Sequence, residues 1–253
     1  MSKDYEGKNM KNCNLILGDC LEKLKEIPNN SIDLILCDLP YGTTQNKWDS
    51  IIDLSLLWKQ YERIIKKNGA VVLTAQCPFD KILGCSNLVL LKYEWIWEKP
   101  QGTGHLNSKK YPLKNHENIL VFCKKPHKYN PQMVGTEKRT IKRKKRKAKI
   151  TNYREFNDLP KNNYIGRFPK TILKFNQEKG LHPTQKPVKL FEYLIKTYTD
   201  EKDIVLDNCM GSGTTGVACI NLNRNFIGIE INKEYFNIAK NRIKEVQNQR
   251  KII

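Results

Sequence analysis

Ile204-Val205-Leu206-Asp207-Asn208-Cys209-Met210-Gly211-Ser212-Gly213-Thr214-Thr215-Gly216 decides the fold. A short apolar run closes on an acid, a glycine-rich turn follows, and a helix is expected through Ala218 to Leu222. Glycines at a strand-to-helix turn let the main chain approach a ligand closely, as in nucleotide-binding α/β folds. The next strand, Phe226-Ile227-Gly228-Ile229-Glu230, ends in a second acid. Outward from this unit, short apolar runs alternate with helical patterns, which predicts an α/β fold with a largely parallel sheet. Seven strands are expected: Cys13 to Leu17, Ile32 to Cys37, Ala70 to Ala75, Tyr93 to Trp97, Glu117 to Cys123, Ile204 to Asp207 and Phe226 to Glu230. Leu54, Leu57, Trp58, Tyr61, Ile64 and Ile65 keep helical spacing, with Asn68-Gly69 as the expected stop. Further sheet-covering helices are expected from Pro187 and through Tyr235, Phe236, Ala239 and Ile243. The pattern breaks between Lys124 and Gln177, so residues 1–123 and 178–253 are read as two halves of one sheet separated by an insert, 124–177.

Asp19, Asp38, Asp207 and Glu230 all fall at the carboxyl ends of expected strands, the edge at which open α/β sheets bind ligands. A carboxylate at Glu230 can take both hydroxyls of a ribose, which implies a ligand carrying an adenosine. Asp207 beside the turn would repel a pyrophosphate and attract a sulfonium or an α-amino group, which favours S-adenosyl-L-methionine over a dinucleotide. Asp19 either accepts from the adenine amino group of that ligand or caps the helix that follows.

The second motif is Asp38-Leu39-Pro40-Tyr41, at the end of Ile32-Asp33-Leu34-Ile35-Leu36-Cys37. The exocyclic nitrogen of adenine or cytosine is a poor nucleophile because its lone pair is delocalised into the ring. Two acceptors, the Asp38 carboxylate and the Leu39 carbonyl, could hold the amino hydrogens and aim the lone pair at an electrophilic methyl group by positioning and electrostatics. Pro40 biases Leu39 toward extended backbone, and Tyr41 would stack on a base that has left the duplex. Methylation at cytosine C5 needs a cysteine nucleophile, usually as Pro-Cys, whereas this chain has Cys77-Pro78.

The 253 residues carry 45 Lys and Arg against 26 Asp and Glu, a net charge of +19 that calls for a polyanionic partner. The polar N-terminus and the absence of a long apolar run predict a cytoplasmic protein that does not enter membranes. Eight scattered cysteines and four histidines lack metal-site spacing, so reduced thiols and no metal are expected. Lys142, Arg143, Lys144, Lys145, Arg146 and Lys147 form the densest basic run. Phosphate contact is expected there, with Asn130, Gln132, Asn152, Tyr153 and Arg154 as candidate readers of base edges.

The order of these motifs resembles the β-group of amino-directed DNA methyltransferases. The likeness rests on DLPY at 38–41, the Asp207 to Thr214 turn, and His182-Pro183-Thr184-Gln185-Lys186-Pro187. It implies a Rossmann-like, seven-stranded methyltransferase sheet in circularly permuted order, with a catalytic half at 1–123, a target-recognition insert at 124–177 and a cofactor half at 178–253. It further implies that Asp207, Gly211, Gly213, Thr214 and Glu230 hold S-adenosyl-L-methionine and that Thr184 and Lys186 contact its carboxylate. Relatives mostly have proline where this chain has Leu39, a change that keeps the carbonyl. An Asp-first tetrapeptide resembles the adenine-N6 type, in double-stranded DNA, with cytosine N4 as the runner-up. An RNA methyltransferase and a catalytically dead DNA-binding protein are the rivals. Members of this family often pair, which leaves a homodimer open.

Overall fold

The computed structural model describes residues 13–42, 51–140, 163–178 and 185–250. They divide into two compact units, one of the described residues up to Asn130 and from Thr171 onward, the other of those between Pro131 and Lys170. The first contains the strands β1 (Cys13–Leu17), β2 (Ile32–Asp38), β3 (Ile65–Ala75), β4 (Leu91–Thr103) and β5 (Lys114–Phe122). The second holds β6 (Val134–Thr140) and β7 (Asn163–Arg167), an antiparallel pair. The chain then returns to the first unit with β8 (Ile172–Lys174), β9 (Ile204–Asp207) and β10 (Asn225–Glu230).

The main sheet runs in the order β1-β10-β9-β2-β3-β5-β4-β8. Neighbours from β1 to β3 are parallel, and β5 is antiparallel to both β3 and β4. All seven expected strands form, and the sheet has eight rather than seven. The addition, β8, pairs Ile96 with Ile172 and Trp97 with Leu173 at the edge. Three residues with one buried side chain, Leu173, carry no strand periodicity of their own. The second unit is accordingly shorter than the insert expected at 124–177. Asn130, expected as a base reader, instead anchors the chain to the first unit: its amide donates to Asp200 and to main-chain carbonyls at the end of the helix Val188–Tyr198.

Strand β2 is buried on both faces, as a central parallel strand must be. Leu34 and Leu36 pack with α4 (Val188–Tyr198), α5 (Thr214–Asn221) and α6 (Lys233–Arg250) through Leu190, Leu194, Ala218 and Ile243. Ile35 and Cys37 face α1 (Cys20–Leu24), α2 (Leu54–Ile64) and α3 (Phe79–Ser86) through Leu24, Tyr61 and Leu83. This three-layer sandwich leaves the carboxyl ends of the parallel strands as a rim.

The stop expected at Asn68-Gly69 lies inside β3, because α2 already ends at Ile64 and the strand begins at Ile65. The register shifts there, pairing Ile32 with Ile65 but Leu34 with Ala70. A Cβ on Gly69 would stand 2.8 Å from the Asp33 carbonyl oxygen, so glycine is required by close approach of the strands.

Candidate active site

Strands β2 and β9 lie side by side, with Ile35 opposite Leu206, so the loops that follow Asp38 and Asp207 leave the sheet at the same end. Leu17 pairs with Glu230 on the neighbouring strands, which puts Asp19 on that rim as well. Asp19 caps α1, accepting from the Leu21 and Glu22 amides at 2.8 and 3.2 Å.

Asp38 sits in a tight set of donors. Its Oδ1 accepts the Tyr41 hydroxyl at 2.6 Å and the Thr74 hydroxyl, and its Oδ2 accepts the Lys186 ammonium at 2.6 Å. A carboxylate offers about four lone-pair sites, so one remains on Oδ2 for an incoming N–H. Lys186 is buried and also lies 3.3 Å from Glu117 Oε2, while Glu117 Oε1 pairs with buried Lys99 and accepts from Gln76 at 2.8 Å. Two cations and two anions thus form a balanced quartet beneath the loop. Burial lowers the pKa of Lys186, but the carboxylates of Asp38 and Glu117 more than reverse this and keep the ammonium charged. Burial raises the pKa of Glu117, and Lys186 and Lys99 outweigh it, leaving the carboxylate below its usual range. Burial, then the charges of Asp38 and Glu117, hold the Tyr41 phenol well above its usual pKa, so it acts as a donor.

Tyr41 stacks on Phe79, with centroids 5.3 Å apart and planes inclined by 26°. The Leu39 side chain is buried, which fixes the loop between Asp38 and Tyr41. Thr74, Phe79 and Glu117 were not singled out by sequence reasoning. A hydroxyl closing Val71-Val72-Leu73 and an acid opening Asn118-Ile119-Leu120 were the available signals.

At the glycine turn, Glu230 Oε2 accepts from Gly211 N and Oε1 from Asn232 N, each at 2.8 Å. Burial raises the pKa of Glu230 against those two bonds. Asp207 is buried deeper, accepting from Thr215 and from Cys209 N, and burial pushes its pKa up to about 7. Gly211 and Gly213 have φ of +50° and +80°, left-handed backbone that favours glycine. A Cβ on Gly211 would meet open space, whereas one on Gly213 would meet Ala239 at 2.9 Å. Thr214 accepts from Arg242 at 3.1 Å and so ties the start of α5 to α6. Thr184 and residues 142–147 lie outside the described residues. Among the described residues no cluster of His, Cys, Asp and Glu is arranged to hold a metal, and no helix is long and apolar enough to cross a membrane.

A family model described as DNA methylase, of the N6/N4 methyltransferase type, matches residues 32–241. The type II methyltransferase M.HpaI of Haemophilus parainfluenzae is 33% identical over 249 residues, covering 90% of this chain and 73% of that protein. The DNA adenine methyltransferase YhdJ of Escherichia coli K12 is 32% identical, covering 90% of this chain and 82% of that protein. Among solved structures, the M1.HpyAVI–SAM complex aligns with a TM-score of 0.61 at 30% identity, over 91% of this chain and 99% of that one. The cytosine-N4-specific PvuII DNA methyltransferase shares the fold, with a TM-score of 0.67 at 18% identity over 95% of this chain and 93% of its own. The family match runs from the strand that ends in Asp38 to the helix packed behind Gly213, and this chain belongs to the DNA methylase family.

Proposed function

We propose that this enzyme transfers a methyl group from S-adenosyl-L-methionine to the N6 amino group of adenine in double-stranded DNA. One observation carries the reading: Asp38, held by three donors and keeping one acceptor site, shares a rim with the Asp207 to Glu230 glycine turn. The name of the E. coli relative supports adenine over cytosine.

The residues at the turn fit the cofactor. Glu230 is a rim carboxylate suited to a ribose diol, the space above Gly211 would be filled by any side chain there, and Asp207 is an acid whose proton a nearby cation would displace. When bound, S-adenosyl-L-methionine supplies an electrophilic methyl on a sulfonium. Glu230, Gly211 and Gly213 would hold its adenosine end, with Asp207 nearer its positive charge. Lys186 is engaged by Asp38 and Glu117, so we assign it to orienting Asp38 rather than to the cofactor carboxylate.

On the base side, Asp38 Oδ2 and the Leu39 carbonyl would take the two amino hydrogens, turning the nitrogen lone pair out of conjugation. Asp38 is not needed as a strong base before attack, because the departing proton becomes acidic only once nitrogen is alkylated. Tyr41, backed by Phe79, offers a fixed ring for the everted base. Free cysteines throughout the described residues fit a cytoplasmic setting.

Incubation with methyl-labelled cofactor and unmodified duplex DNA, followed by nucleoside analysis and site mapping, tests the assignment. Label in N6-methyladenine is expected. Label in N4-methylcytosine would overturn the base assignment, and label confined to added structured RNA would overturn the substrate.

A further inference from the structure

The hairpin joining β4 to β5 grows out of the active-site rim. Thr103 pairs with Lys114 at its base, and further down Asn118 pairs with Ala75, one residue past the Thr74 that holds Asp38. Glu117, between these points, reaches Lys186. Residues 104–113 therefore project from the edge at which a base is presented to Asp38. Their backbone is tied to itself: Asn107 N donates to Gly104 O at 3.0 Å, Lys110 N to Asn107 O at 2.8 Å, and Tyr111 N to Asn107 O at 3.0 Å. At the neck, a Cβ on Gly102 would come within 2.8 Å of Leu113, so the two sides of the arm are closely apposed.

A single exposed leucine is ordinary on a protein surface. Leu106 differs in its setting. It is fully exposed, at 102% relative accessibility, on the turn His105–Asn107 at the tip of a self-bonded arm. Residues 100–116 contain three lysines and two histidines and no acid. Lys109 and Lys110 are exposed immediately beyond the tip. An apolar point flanked by cations suits a partner that is a polyanion outside and a stack of flat apolar faces inside. Apolar side chains inserted between base steps are a general means of opening a duplex, and a base modified on its amino group has to leave the stack.

We infer that the 104–113 arm opens the duplex: Lys109 and Lys110 contact phosphates beside the target, and Leu106 enters the stack to fill the space left by the everted nucleotide. The inference rests on methylation of DNA by this chain. Leu106→Ala, at an exposed position, should leave cofactor affinity unchanged. On a duplex carrying the mapped site, it should lower transfer at least tenfold when the target is paired and less than twofold when the target faces an abasic position. With 2-aminopurine at the target, the unaltered chain should raise fluorescence on binding and the variant should not. Lys109→Gln with Lys110→Gln should reduce the slope of log affinity against log salt by about two. Equal loss on paired and abasic-opposed duplexes, no loss on either, undiminished fluorescence, or an unchanged salt slope would overturn the assignment. Transfer by the unaltered chain on the same duplex separates failure of the arm from failure of the enzymatic reading.

Discussion

Asp38 derives its direction from Thr74 and Lys186 as much as from its own strand. Thr74→Val keeps the shape of the site and removes a hydroxyl donor, so Asp38 is expected to swing from its aim. Turnover should fall roughly tenfold to a hundredfold, the scale set by small misplacements of reacting groups. Asp38→Ala should abolish transfer, and both variants should bind cofactor within a few-fold of the parent by titration calorimetry. Asp207 gives a prediction in pH. Its folded pKa of about 7 stands above the ordinary 3.8, so between those values the fold holds a proton that the unfolded chain releases. Stability must fall as pH rises through that window, by an amount on the order of 2–4 kcal/mol, and stay low above it. Asp207→Asn removes the titration. Its melting temperature relative to the parent, without cofactor, should therefore climb from pH 4.5 to pH 7.5, and a difference flat across that range would contradict the burial argument.

Among the elements, the turn between β9 and α5 separates two uses of glycine. Gly213 packs against Ala239 of α6 with left-handed backbone, so Gly213→Ala should cost stability, about 1–3 kcal/mol, through strain and overlap together. Gly211 is also left-handed but faces open space, so Gly211→Ala should cost about 1 kcal/mol in stability and much more in cofactor affinity, tenfold or greater. Thermal melts with and without cofactor would distinguish them, and equal effects of the two variants on binding would refute the assignment of that space. The same turn was readable in sequence because strand, acid, glycines and helix are contiguous. The tip of the β4–β5 hairpin beyond Gly104 was not, since its place on the rim comes from the register of β5 against β3.

The whole molecule carries +19, and much of its excess lies in residues 138–149. Replacing the six cations from Lys142 to Lys147 with glutamine should weaken DNA binding and lower the slope of log affinity against log salt by up to about five, with cofactor affinity unchanged. A slope unaltered by those changes would show that the run does not touch phosphate. At this scale the chain by itself determined the fold class, the seven principal strands and the two motifs, because hydrophobic period, turn glycines and acids at strand ends are local properties. Only the tertiary structure decided that Lys186 joins Asp38 to Glu117, that Thr74 and Phe79 support the loop, and that Ile172–Lys174 adds an eighth strand. Such contacts join residues far apart in the chain, and they exist only once strand order and register have placed those residues on one rim.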